Sequence, residues 1–199
     1  MKPITVLVPL AQGCEELEAV TLIDLLTRAE MDVVTASLDD DCTIYASRGV
    51  KLVAQTSLDQ VLDRHFDLIV LPGGMPGADF LRDCADLRGL LQRQAETGRW
   101  IGALCAAPKA LAAAGLLDHK RATSFTGALA PYTDRSIEWV DAPIVVDGTV
   151  VTSQGPGTAM AFALELIELL SGADCRKNVE TKLKLPPDWS TDNLVSNAV

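Results

Sequence analysis

The feature that most constrains this chain is an alternation: short apolar runs closed by turn residues are followed repeatedly by longer segments of helical period. Runs at 4–8, 33–37, 67–71 and 100–104 are too short for helices and too continuously apolar for one-sided strands, so they read as strands buried on both faces. Between them, Leu17, Val20, Leu22, Ile23, Leu25 and Leu26 recur at helical spacing, and segments 82–97, 107–114 and 159–170 follow the same period. The expected architecture is α/β: a doubly wound, mostly parallel sheet sandwiched by helices. Segment 43–53, with Arg48-Gly49 at its turn, reads as a small β-hairpin excursion. Asp147-Gly148 joins strands expected at 143–146 and 150–153, and a further strand is expected at 122–125 and a short helix at 58–62.

Such a sheet needs a sizeable core. With 199 residues, 48% of them hydrophobic, the chain can supply one without disulfide or metal support, since a chain of this size buries about 70% of its extended surface. One domain is expected over 1–185, followed by a polar, proline-punctuated tail at 186–199 that reads as loosely attached. The 27 acidic against 17 basic side chains give a net charge of -10, without the basic footprint that phosphate backbones require, so nucleic acid is not an expected partner. No apolar stretch reaches the roughly 18 residues of a membrane span. The apolar run at 4–10 contains Pro9 and leads into an acidic segment, which is unlike a secretion signal. Cys14, Cys42, Cys84, Cys105 and Cys175 are odd in number and widely spaced, so free thiols in reducing cytoplasm are expected. Without a dinucleotide fingerprint, phosphate-binding loop or metal-ligand spacing, no cofactor and no metal are expected.

In open parallel sheets, ligands sit beyond the carboxyl ends of the strands. Those positions hold Gly13 with Glu15, Glu16 and Glu18; Gly73-Gly74; Cys105; and Gly155-Pro156-Gly157. A single buried cysteine is usually a small apolar filler. Cys105 differs by position, because it lies at an abrupt strand-to-helix junction flanked by small residues, where a helix N-terminus can lower a thiol pKa. Glu18 is its candidate partner, able to exchange the thiol's proton. Glu15 and Glu16 read as first-turn charges complementing the helix dipole. The amides of Gly73, Gly74 and Ala106 are candidate oxyanion donors. His65 and His119 read as solvated surface residues.

Taken together, Gly13-Cys14-Glu15-Glu16-Leu17-Glu18, Leu71-Pro72-Gly73-Gly74, Ala103-Leu104-Cys105-Ala106-Ala107-Pro108 and Thr152-Ser153-Gln154-Gly155-Pro156-Gly157-Thr158 resemble the ThiJ/PfpI superfamily. Within it they look like the Parkinson-linked protein deglycase branch, nearest its bacterial YajL-like members. The resemblance runs from about Ile4 to Leu183 and implies a flavodoxin-like homodimer. It assigns the nucleophile to Cys105, a buried protonated carboxylic acid to Glu18, and oxyanion-type amides to Gly74 and Ala106. Arg28 and Arg48 match arginines at the subunit interface and the mouth of the site, and Gly155 and Pro156 fall in a substrate-binding loop. The implied activities are repair of methylglyoxal- and glyoxal-glycated side chains and glutathione-independent glyoxalase activity, with protection against oxidative stress. A redox-regulated chaperone or stress sensor, with Cys105 oxidised to sulfinic acid, is the alternative. Some relatives carry a histidine where this chain has Phe125. That departure argues against a cysteine–histidine peptidase and for the YajL-like subgroup.

Overall fold

The computed structural model describes residues 3–186, 189 and 195–197. The first apolar run becomes β1 (Thr5–Leu10), followed by α1 (Glu16–Arg28) and β2 (Asp32–Ser37). The excursion is an antiparallel hairpin of β3 (Thr43–Tyr45) and β4 (Lys51–Val53), after which β5 (Thr56–Ser57) rejoins the sheet beside β2. A 3-10 turn at Leu58–Val61 leads into β6 (Leu68–Leu71), then α2 (Gly77–Asp83), α3 (Ala85–Glu96), β7 (Trp100–Leu104) and α4 (Pro108–Ala113). A separate pair, β8 (Arg121–Ala122) with β9 (Glu138–Trp139), precedes the hairpin of β10 (Ile144–Asp147) and β11 (Val150–Ser153). Helices α5 (Ala159–Ser171) and α6 (Ala173–Leu183) and strand β12 (Val195–Asn197) close the described chain.

The main sheet runs β12-β10-β11-β7-β6-β1-β2-β5, parallel throughout from β11 to β5. Successive strand residues point to opposite faces, which sorts the core into two layers. Val6, Val8, Leu10, Leu68 and Val70 face Leu22 and Leu26 of α1 and Phe162 and Leu166 of α5. Leu7, Ile69 and Leu71 face Leu87 and Leu91 of α3 and Leu111 of α4. The parallel strands therefore need to be apolar on both faces, which is why they read as continuous runs.

Several elements depart from the sequence reading, the short strands β5 and β9 among them. The expected helix over 82–97 is broken at Cys84, which takes an extended conformation (φ -69°, ψ 110°) between α2 and α3. Neither glycine nor proline marks the break, so the helical period runs through it unseen. The expected strand at 122–125 stops at Ala122, because Thr123 and Phe125 turn their amides to Thr152 Oγ1 and the Cys105 carbonyl. Helix α6 was not expected: Val179 is its only buried residue, too thin a stripe to register as amphipathic. The tail is not wholly loose, since β12 pairs in parallel with β10, and Trp189 and Val195 pack against the core. The remainder of that tail, 187–188, 190–194 and 198–199, lies outside the described residues.

Candidate functional site

Cys105 follows β7 directly and has φ 61°, the left-handed region that costs a non-glycine residue about 1–3 kcal/mol. Neighbours on both sides hold it there: its amide donates to the Ser153 carbonyl at 2.9 Å, and its carbonyl accepts from the Phe125 amide at 2.7 Å. The residue is 8% exposed. Backbone N–H groups of Gly74 and Ala106 point at the sulfur.

The loop after β6 reaches this elbow only because it lacks side chains. A Cβ on Gly73 would lie 2.7 Å from Cys105 Cβ and 2.9 Å from the Ala106 nitrogen. One on Gly74, where φ is 93°, would lie 2.2 Å from the Glu15 nitrogen. The loops after β1 and β6 thus pack backbone to backbone, joined by the Glu15 amide donating to the Gly73 carbonyl at 2.9 Å. This brings Glu18, from the first turn of α1, fully inside the protein beside Cys105.

Glu18 Oε2 accepts the Gly73 amide at 2.7 Å. That amide is therefore committed to the carboxylate, and the expected oxyanion set contracts to Gly74 and Ala106. Oε1 is buried without a well-aligned hydrogen-bond partner. The Cys105 thiol interacts with this carboxyl group while falling short of a full S–H···O geometry.

Burial pushes Glu18 up to about 7, against the Gly73 amide and the Cys105 thiol, which favour its charged form. Burial, then the Glu18 charge and its bond to the thiol, push Cys105 up to about 12. The expected low thiol pKa is thus corrected: burial outweighs the amides, and α4, only six residues long, brings little dipole. The two groups act as one coupled acid that holds a single negative charge, on oxygen or on sulfur. When Glu18 carries the proton, the main electrostatic opposition to the thiolate disappears and the two amides remain to stabilise it.

The other expected residues separate into groups. Gly155 and Pro156 line a groove of about 370 Å³ with Ser124, Phe125, Thr126 and Thr158. Arg28 pairs with Asp24 at 2.6 Å on the exposed end of α1, and the Arg48 guanidinium bonds the Ser47 carbonyl at 3.4 Å. Neither has a hydrogen bond or ion pair to Cys105 or Glu18 among the described residues. Glu16 is more than a dipole charge. It is buried and accepts from Ser47 Oγ and from the amides of Arg48 and Val50, pinning the β3–β4 turn to α1. Burial opposes its charge, and those donors outweigh it, holding its carboxyl below the usual range. His65 and His119 are exposed. The sequence reading missed the clamps on the elbow, Ser153 and the Phe125 amide, because a backbone hydrogen bond leaves no residue-type signal.

A protein-family model described as the DJ-1/PfpI family matches residues 4–169. Protein dj-1beta of Drosophila melanogaster is 40% identical over 169 residues, covering 84% of this chain and 90% of the relative. Its crystal structure superposes with a TM-score of 0.88 at 37% identity, covering 92% of this chain and 99% of that one. The glutathione-independent glyoxalase DJR-1.2 of Caenorhabditis elegans is 32% identical over 82% of this chain and 86% of its own length. Protein DJ-1 homolog A of Arabidopsis thaliana is 40% identical over 92% of this chain, which spans 47% of that relative's length.

Proposed function

Because this chain belongs to the DJ-1/PfpI family, we propose that Cys105 is the nucleophile of a glutathione-independent glyoxalase and protein deglycase acting on methylglyoxal- and glyoxal-derived adducts. The observation that carries the reading is the Cys105–Glu18 pair: a strained, clamped thiol, two amides at its sulfur and a buried carboxyl group titrating near neutrality. The thiol adds to the aldehyde carbon while Glu18 accepts its proton, giving a hemithioacetal whose oxyanion the Gly74 and Ala106 amides hold. Glu18 then carries a proton between the two carbons through an enediol. One carbon rises to the thioester level as its neighbour falls to an alcohol, so no external oxidant or reductant is needed. Water cleaves the thioester and releases lactate from methylglyoxal, or glycolate from glyoxal.

The test is lactate released per chain from methylglyoxal and from freshly glycated peptides. Many turnovers per chain support the reading. A single equivalent consumed at Cys105, with the thiol oxidised by mild peroxide, would replace it with a redox sensor or chaperone of cytoplasmic stress protection.

We also infer a homodimer through α1 and the β3–β4 hairpin. Leu17, Val20, Tyr45, Val50 and Val53 are 47–72% exposed on these two elements, more large apolar surface than a solvated face needs. The hairpin end of this face joins the loop after β1, with the Gly13 amide donating to the Tyr45 carbonyl and the Ser47 amide to the Cys14 carbonyl, both at 2.8 Å. Light scattering should give twice the chain mass for the native protein and one chain mass for Val20→Lys; a monomeric native protein would refute it.

A further inference from the structure

The segment from Ser124 to Thr126 is a wall with a cavity on each side. On one side is the groove lined by Phe125, Gly155 and Pro156. On the other is a cavity of about 360 Å³ lined by Thr126, Leu129, Ala130, Tyr132, Ile137 and Trp139. Thr126 borders both, so a single residue separates them. None of the six lining side chains carries a charge, in a protein of net charge -10. Tyr132 lines the cavity, and its hydroxyl lies within the electrostatic reach of Arg82. Trp139 is 47% exposed above a buried Leu129, and Phe125 is 55% exposed on the groove side. Scattered exposed apolar residues need no explanation, but a concave cluster of them beside the segment that clamps a reactive cysteine does.

The distances suit a peptide. The Phe125 amide touches the Cys105 carbonyl at 2.7 Å. Thr126, the next residue and about 3.8 Å further along the chain, borders the apolar cavity. Side chains on one face of an extended peptide repeat at about 7 Å. A peptide whose modified side chain enters at the elbow therefore carries a neighbouring side chain to the mouth of the apolar cavity. A free dicarbonyl, with two or three carbons, has no use for it.

We propose that this cavity is a side-chain pocket for an aliphatic or aromatic residue one or two positions from the modified residue, so that the preferred substrates are peptide- or protein-borne adducts in apolar sequence contexts. The proposal rests on the catalytic reading for its relevance to turnover, and its first test is independent of turnover. Two N-acetylated, C-amidated peptides with a central lysine, one flanked by leucine and one by glycine, are titrated into the native protein by NMR. The leucine peptide binds about fivefold more tightly, the effect of partly burying one leucine side chain. Its resonance shifts map to Thr126, Leu129, Ile137 and the Trp139 indole. Ala130→Tyr fills the cavity from an exposed position without leaving a void, and Trp139→Ala removes its lid; in both, the two peptides bind within about twofold of each other. With the same peptides freshly treated with methylglyoxal, the leucine flank lowers KM for lactate release and leaves kcat unchanged. Equal affinities in the native protein, or a preference that survives Ala130→Tyr, would overturn the pocket. A leucine preference without lactate from either peptide or from methylglyoxal supports the pocket and overturns the catalytic reading instead.

Discussion

Cys14 and Cys105 sit in the same core cluster, one in the loop after β1 and the other in the elbow after β7. Both thiols are pushed up to about 12, and for both the largest cause is burial followed by the charge of a neighbouring glutamate. Their surroundings nevertheless differ in kind. Cys14 is fully buried with Glu16, Glu15 and Glu18 repelling a thiolate, and only its own amide favouring one. Cys105 has two foreign amides at its sulfur and a carboxyl partner whose own pKa is near neutrality. A thiol becomes a nucleophile here through a partner that takes its proton and donors that take its charge. Its resting acidity is the same in both places.

The comparison can be broken most decisively by substitution. Cys105→Ser should lower lactate release by at least about 1,000-fold, and Cys14→Ala by less than about threefold. Equal losses in steady-state assays would erase the distinction.

Glu18→Gln should cost about 100-fold or more in kcat/KM, the usual worth of a positioned proton carrier. For the native protein, kcat/KM should rise with pH through about 7, where the pair loses its first proton, and the variant should lose that inflection. Stability carries the opposite sign. The folded pKa of Glu18, about 7, lies above its ordinary 4.5, so its protonation stabilises the fold fully below pH 4.5, and this contribution is lost as pH rises through 7. Relative to the native protein, Glu18→Gln should therefore gain roughly 2–3 kcal/mol between pH 4.5 and 7.5. Denaturant midpoints at the two pH values measure it, and a constant difference would count against a buried neutral carboxyl group.

Gly73→Ala forces a methyl group to 2.7 Å from Cys105 Cβ and should destabilise by about 1–3 kcal/mol. The thermal midpoint should fall, and thiol alkylation at Cys105 should change far more than at Cys14.

The smallest effect is a reversal of sign between the two sites. Cys105→Gly should be more stable than Cys105→Ala by about 1 kcal/mol, because glycine accepts φ 61° without strain. Cys14 has no positive φ, so Cys14→Gly should be less stable than Cys14→Ala by about 0.5–1 kcal/mol.

Much of the fold was legible locally. The order of β1, α1, β2, the β3–β4 hairpin, β6, α3, β7, α4, the β10–β11 hairpin and α5 follows from runs and periods that each lie within a dozen or so residues. The Asp147-Gly148 and Arg48-Gly49 turns announced both hairpins. The position of Cys105 at a strand-to-helix junction was equally readable, as was the glycine pair that lets a loop approach it. What escaped was whatever depended on a distant partner. The Cys84 break lies inside an uninterrupted helical period, α6 buries only Val179, and β12 forms only because β10 offers a free edge.

The sequence by itself determined an α/β sheet with a cysteine at a strained elbow and an acidic helix start nearby, because short-range sterics and hydrophobic period act between neighbours in the chain. Tertiary structure alone decided which amide serves which group. Gly73 donates to Glu18, 55 positions away, leaving Gly74 and Ala106 for the sulfur. It also decided the protonation of the pair, since desolvation and Coulomb interaction depend on distance through space and on excluded water, neither of which is written in the order of residues.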